Sequence, residues 1–297
     1  MQKLSIIILS YNTKEITHKC LSSLVESITP FQDLQFEIIA VDNASSDGSA
    51  EMLRKFQESA SKTNLSVKVI LSPTNEGFPK GNNRGVKQSS GNYIVFLNSD
   101  VIVSNLNWQD LIDYLEKEVR IGVLTVKVNL PTNGIDPASH RGFPTIWNSF
   151  CYYAGLEKLT RYIPALATQF GGYHLTQYSV ESVHEIDSPS GAFYLIRRSI
   201  FEDLGGFDEE FFMYGEDLDL SYRVKQNGFT IMYYPKYMVL HLKHQSGLKK
   251  NKTSVRSKTK QYFYDAMRIF YRKHYASQHS SIVNNLIYTF IDIKAKL

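Results

Sequence analysis

Residues 4–12 read LSIIILSYN: six residues, five of them apolar, followed by a polar loop. The run Leu4–Leu9 is too short to cross a bilayer and no small-residue cleavage site follows it, so it reads as a buried strand and not a leader. After the loop Ser10-Tyr11-Asn12, Thr13 can cap a helix in which Ile16, Cys20, Leu21 and Leu24 recur at helical spacing. The unit then repeats. Phe36–Val41 ends in a loop from Asp42 to Gly48 before a helix capped by Ser49 and carrying Leu53 and Phe56; Val67–Leu71 precedes Asn75-Glu76-Gly77-Phe78; Tyr93–Leu97 runs into Asn98-Ser99-Asp100. Strand, loop and helix in that succession are what a parallel sheet covered on both faces requires.

A Rossmann-like, mostly parallel central sheet flanked by helices is therefore expected, with ligands beyond the carboxyl ends of its strands, where the four polar loops converge. Beyond residue 105 the pattern is mixed. It predicts a helix over Trp108–Glu118, strands near Val123–Val128, Ala192–Ile196 and Thr230–Tyr234, and a long aromatic stretch between the first two strands. A helical C-terminal extension follows from Tyr262, Ala266, Ile269 and Phe270, and from Ile282, Leu286, Phe290 and Ile293.

Composition narrows the classes. At 297 residues and 43% hydrophobic content, one main domain with a small appendage is expected. The net charge is only +4, yet Lys243, Lys249, Lys250, Lys252, Arg256, Lys258 and Lys260 crowd the tail. No zinc-finger spacing, helix-turn-helix or RNA-binding signature accompanies them, so phosphate or anionic lipid fits as well as nucleic acid, and a solvated basic face is the even alternative. Cys20 and Cys151 are far apart and form no CxxC pair, which points to a reducing, cytoplasmic setting. The stretch Ser281–Ile293 is short and broken by Asn284, Asn285 and Asp292, so no transmembrane helix is expected.

Alone, Asp42-Asn43-Ala44-Ser45-Ser46-Asp47-Gly48 is an ordinary turn. The ordered set says more. In SYN (10–12), VDNASSDGS (41–49), NEGFPKGNNRG (75–85), FLNSD (96–100), GGFDEEFFMYGEDLDLSYR (205–223) and the later His241, the sequence resembles the family 2 glycosyltransferases over about residues 4 to 245.

The resemblance implies a GT-A fold over residues 1–245, with a nucleotide-binding half (1–105) and an acceptor half (106–245), followed by a basic loop and helices (246–297). It implies an inverting, metal-dependent transfer from a nucleotide diphosphate donor. Donor contacts fall on Ser10, Tyr11, Asn12, Asp42, Asn43, Asn75, Gly77, Phe78, Asn82, Asn98 and Ser99, acceptor contacts on Ser190, Gly191 and Ala192. Asp42 can accept a hydrogen bond from the imide N–H of uracil or thymine, and Tyr11 offers a ring to the base, which favours a UDP or dTDP donor. Asn98-Ser99-Asp100 stands where the family's aspartate motif holds Mg2+ or Mn2+; with asparagine first, Asp100 is the expected metal ligand and His241 a second, with His244 in reserve. Asp217 matches the family's base and Glu216 would orient the acceptor, while Asp219 faces elsewhere as a scaffold group. Lys243, His244, Lys249 and Lys250 could close over the diphosphate.

The NSD variant resembles rhamnosyltransferase-like members that build cell-surface polysaccharide, which makes dTDP-rhamnose an expected donor and a glycan or lipid-linked species the acceptor. The basic tail and the apolar stripe Ile282, Leu286, Phe290 and Ile293 leave two expectations open: peripheral contact with the inner face of an anionic membrane, or packing of the stripe on the catalytic domain. A sugar-phosphate nucleotidyltransferase, the main alternative, needs a Gly-rich basic loop after its first strand, and an oxidoreductase a glycine fingerprint there; Ser-Tyr-Asn is neither. A non-catalytic carbohydrate-binding protein has no use for both Asp100 and Asp217.

Overall fold

In the computed structural model, which describes residues 3–31, 33–60, 65–243 and 253–296, a mixed nine-stranded sheet carries helices on both faces. The first half alternates β1 (Lys3–Ser10), α1 (Lys14–Ile28), β2 (Gln35–Asp42), α2 (Ser49–Ala60), β3 (Ser66–Leu71), α3 (Phe78–Lys87) and β4 (Tyr93–Asn98). The second half holds β5 (Val101–Val103), α4 (Trp108–Lys117), β6 (Ile121–Asn129), α5 (Ile146–Tyr153), α6 (Ala167–Phe170), β7 (His184–Glu185), β8 (Phe193–Arg197), α7 (Arg198–Asp203), α8 (Glu216–Gln226) and β9 (Thr230–His241). Two long helices, α9 (Thr253–His274) and α10 (Ser281–Lys296), close the chain.

The strand order is β3-β2-β1-β4-β8-β6-β9-β5, with β7 also on β9. From β3 to β4 every pairing is parallel, as the repeated strand–loop–helix unit dictates. Beyond β4 the sheet is mixed: β8 runs antiparallel to both β4 and β6 and β5 antiparallel to β9, while β6 and β9 run parallel. Burial on both faces explains why β1 is apolar at Leu4 and throughout Ile6–Leu9. Leu4, Ile6 and Ile8 pack with Cys20, Leu21 and Leu24 of α1, while Ile7 joins Val86 of α3 and Phe201 of α7 on the other face. Each such side chain contributes about 1.5–3 kcal/mol. The two glycines of the GNNRG segment let α3 lie against the sheet, since a Cβ on Gly81 or Gly85 would come within 2.4 Å of Leu9 or 2.6 Å of Ile7.

Three local expectations change. Ser49 is the first residue of α2 and not its cap: Asp47 Oδ1 accepts from Ser49 N–H at 3.0 Å, while Oδ2 takes the Lys14 N–H that opens α1. Thr13 makes no capping bond with its own side chain. The strand expected near Thr230–Tyr234 runs on to His241, and residues 235–237 bulge because the register jumps between Tyr234 and Met238 at Pro235, which has no N–H to pair. That strand delivers His241 to the site, where Val101 pairs with it in register.

The tail packs on the acceptor half. Phe211 shares a core with Ala266, Phe270, Tyr271 and Tyr275, and Asp219 Oδ1 accepts from Lys273 at 2.6 Å and His274 at 2.8 Å, while Oδ2 binds Arg223. Those bonds outweigh the upward push of burial and hold the Asp219 carboxyl at about 2. The expected boundary at 245/246, together with His244, Lys249, Lys250 and Lys252, lies outside the described residues. Among the described residues no helix is long and apolar enough to cross a membrane.

Candidate active site

The carboxyl ends of β1, β2 and β4 meet the loop before α3 at one edge of the sheet. Asp42 ends β2 and is 2% exposed; its Oδ2 accepts from Ser45 N–H at 3.0 Å, but its buried Oδ1 has no partner. Ser72, whose N–H donates to the Asp42 carbonyl oxygen, also leaves its hydroxyl unpaired. The Tyr11 ring is 43% exposed one residue past β1.

Most other loop side chains hold the loops in place. Ser10 and Ser99 join Thr13 and Thr17 in a buried hydroxyl network. Asn12, at φ +54°, accepts from Ser46 N–H at 2.8 Å and so fastens the first loop to the second. Asn43 donates to Asn75 Oδ1 at 2.9 Å and to the Gly77 carbonyl at 3.1 Å, and its Oδ1 accepts from Glu76 N–H. Asn82 donates to the Phe78 carbonyl. Phe78 N–H in turn donates to the Phe212 carbonyl at 2.8 Å, joining the donor-side loop to the acceptor half. On that half Ser190-Gly191-Ala192 runs directly beside these loops: Ala192 O accepts from Asn98 N–H, and Gly191 faces the Phe78 ring.

A second cluster forms where β4 turns into β5. His241 Nε2 lies 3.1 Å from Asp100 Oδ1, and its Nδ1–H donates to Asp136 Oδ2 at 2.8 Å. Lys243 reaches Asp136 Oδ1 at 2.7 Å. Burial favours the neutral imidazole, but the bonds to Asp100 and Asp136 raise it to about 9. Burial likewise pushes the Asp136 carboxyl up, and the donors His241 and Lys243 overcome it and hold it far below the ordinary carboxylate range. Among the described residues no group of three or more His, Cys, Asp or Glu side chains is arranged to hold a metal unaided. Asp100 and His241 supply one hard oxygen and one imidazole nitrogen, a donor pair that suits Mn2+ or Mg2+ once diphosphate oxygens and water complete the shell. With Nδ1 committed to Asp136, Nε2 is the nitrogen that faces Asp100.

Opposite these loops, Glu216 and Asp217 open α8. Arg141 Nη2 lies 2.8 Å from Asp217 Oδ2, and Asp217 Oδ1 accepts from Leu218 N–H. Glu216 carries a buried, unpaired Oε2; burial, then the neighbouring Asp217, pushes its carboxyl up to about 8. Arg141 Nε is unpaired as well. Among the described residues the four buried polar side-chain atoms without partners are those of Asp42 and Ser72 at the ends of β2 and β3, and of Arg141 and Glu216 beside Asp217. Orphaned buried polar groups are rare because each costs about 1–3 kcal/mol, and they gather where a ligand supplies the missing partner.

Sequence reasoning missed Asp136 and Arg141. Asp136 precedes Pro137 and caps a turn by accepting from Ala138 N–H, so it reads as turn chemistry. Arg141 sits in an aromatic stretch without periodicity, and nothing local pairs it with a residue 76 positions onward.

A parallel half-sheet whose loops bear an unsatisfied acidic acceptor is joined to a mixed half that presents a carboxylate pair at a helix start, the architecture of the GT-A fold. The pattern of glycosyl transferase family 2 matches residues 5–205, and the chain belongs to that family; that of the N-terminal domain of galactosyltransferase matches residues 174–245. The N-acetylglucosaminyl-diphospho-decaprenol L-rhamnosyltransferase of Mycobacterium tuberculosis is 25% identical over 255 residues, covering 76% of this chain and 73% of its own. The poly(ribitol-phosphate) beta-glucosyltransferase of Bacillus spizizenii is 32% identical over 126 residues, 41% of this chain. The chain spans 19% of that relative's length and between 12% and 49% of the next ones. In fold it is similar to the crystal structure of GalNAc-T7 with UDP, GalNAc and Mn2+, at a TM-score of 0.60 and 15% identity, over 91% of this chain and 47% of that one.

Proposed function

We propose that this glycosyltransferase moves a sugar, with inversion, from a UDP- or dTDP-sugar to a hydroxyl of a glycan or lipid-linked acceptor in cell-wall polysaccharide synthesis. The unpaired Asp42 Oδ1 carries the donor reading, because a buried carboxylate oxygen at this edge fits the imide N–H of uracil or thymine, with Tyr11 as the ring beside it. The names of two relatives, one for poly(ribitol-phosphate) and one for an N-acetylglucosaminyl-diphospho-decaprenol, support the acceptor class, and the rhamnosyltransferase among them makes dTDP-rhamnose the first donor to try.

In the reaction, the acceptor oxygen forms its bond to the anomeric carbon as the bond from that carbon to the diphosphate oxygen breaks on the opposite face. The acceptor proton passes to Asp217, whose carboxylate Arg141 and the Leu218 N–H hold in one orientation. Protonated Glu216 can bond the acceptor through its unpaired oxygen. Asp100 and His241 would hold a divalent ion, and that ion would neutralise the charge gathering on the leaving diphosphate.

Thermal-shift measurements with UDP, dTDP and GDP, with and without Mn2+, test the donor reading, since a ligand that binds only the native state stabilises it by mass action. Uracil and thymine nucleotides should raise the melting temperature and Asp42→Ala should lose about 1–3 kcal/mol of their binding. Equal affinity for all three nucleotides, unchanged in Asp42→Ala, would refute it.

A further inference from the structure

The face of α10 that packs inward is Asn284, Ile287, Tyr288 and Ile291, which reach Ala276, Tyr271 and the core formed with α9. Its opposite face is apolar too. Ile282, Leu286 and Ile293 are 72%, 65% and 52% exposed and lie in one stripe at helical spacing, with Phe290 at its side. The stripe continues onto α5. Phe290 meets the Tyr153 ring at 5.2 Å, and one and two turns back along α5 Phe150 and Trp147 are about half exposed, their rings 5.8 Å apart. An exposed apolar surface running across two helices marks a docking site.

Its charges are of one sign. Lys294 lies over both the Tyr153 and Phe290 rings, Lys296 is exposed in the last turn, and Lys158 and Arg161 are exposed in the segment after α5. The two acidic residues within 146–170 and 281–296 do not offset them, because Glu157 is buried against His174 and Asp292 is paired with Arg268. A second copy seated on the same face would set these cations against their own equivalents, since a twofold interface is self-complementary. Apolar and aromatic side chains rimmed by lysine and arginine match the boundary of an anionic bilayer.

We propose that α10 and α5 form a peripheral docking surface for an anionic lipid bilayer. The surface adjoins the acceptor side: α5 starts five residues after Arg141, which is paired with Asp217, and Ile146 packs in the same core as Phe211 and Tyr214. A lipid-borne acceptor would thus be presented next to the carboxylates; that consequence rests on the transfer reading above, whereas the docking itself does not.

Co-sedimentation of the full chain with phosphatidylcholine vesicles, with and without phosphatidylglycerol, tests the surface. The protein should pellet with the anionic vesicles. Leu286→Asp with Ile293→Asp should reduce binding at least about tenfold, and Lys294→Ala with Lys296→Ala should weaken it roughly fivefold for each lysine while leaving zwitterionic binding unchanged. Because all four side chains lie outside the transfer site, turnover of a soluble acceptor should not change, so a failure here is separable from a failure of the transfer reading. Absence of pelleting, or equal pelleting of the variants, would overturn the proposal. Sedimentation-velocity dimers that the Leu286→Asp, Ile293→Asp variant abolishes would assign the face to a second copy instead.

Discussion

Arg141 and Asp217 form an ion pair at 2.8 Å, with each side chain only 11% exposed. Breaking such a pair leaves one charge without its partner in a dry site. Arg141→Leu should therefore destabilise the fold by about 3–5 kcal/mol, and Arg141→Lys by less, because the charge is kept while the planar fork is lost. Chemical denaturation of both variants measures this; equal stability of Arg141→Leu and the parent would show that the pair is not part of the folded framework.

Asp136 is placed to fix the His241 ring. Asp136→Asn keeps the shape but turns a charged acceptor into an amide, and loss of such an outer partner typically weakens metal binding about 10–100-fold. Calorimetric titration of Mn2+ in the presence of UDP should show that loss, and Asp100→Ala should abolish the metal-dependent gain in nucleotide affinity altogether. Parent-like Mn2+ affinity in both variants would remove the metal from this cluster.

The raised Glu216 carboxyl makes stability depend on pH. In the unfolded chain it loses its proton near the ordinary glutamate value of 4.5, whereas in the folded protein it keeps the proton up to about 8. The unfolded state thus binds fewer protons across that window, and the Glu216 contribution to stability falls as pH rises from about 4.5 to about 8 and is level above it. Glu216→Gln, which cannot ionise, should show a shallower decline over the same range. Parallel stability profiles for parent and variant would contradict the assignment.

How much of this was legible depended on whether the determinant was local. LSIIILSYN, the VD-loop and FLNSD each carry strand, stop and turn within a dozen residues, so the parallel half-sheet and its converging loops could be read directly. The glycine spacing in GNNRG was visible as a motif, but its reason, the approach of α3 to Leu9 and Ile7, appears only with the sheet in place. The same holds for the polar loop residues. Asn43, Asn75 and Ser10 look like ligand-facing groups in sequence, yet the two asparagines bond each other and the backbone, and Ser10 bonds the hydroxyls of Thr13 and Thr17. Arg141 and Asp136 act across 76 and 105 residues of chain, and no local pattern announces a partner at that range. The α10 stripe was seen as amphipathic, but only packing decides which of its two apolar sides faces inward.

The account turns on Asp217 as the group that takes the acceptor's proton. Asp217→Asn preserves the side-chain shape and should leave nucleotide and metal affinity intact, while transfer falls about 10²–10⁴-fold. Glu216→Gln is the internal comparison, since a group that only positions the acceptor should raise the acceptor KM as well as lower kcat. Steady-state rates of the two variants with one donor and one acceptor, set beside calorimetric donor affinity, decide the matter. Lost turnover with donor affinity retained in Asp217→Asn is the predicted result; near-normal turnover in Asp217→Asn with turnover lost in Glu216→Gln would move the base to Glu216, and normal transfer by both would remove the catalytic centre from the start of α8.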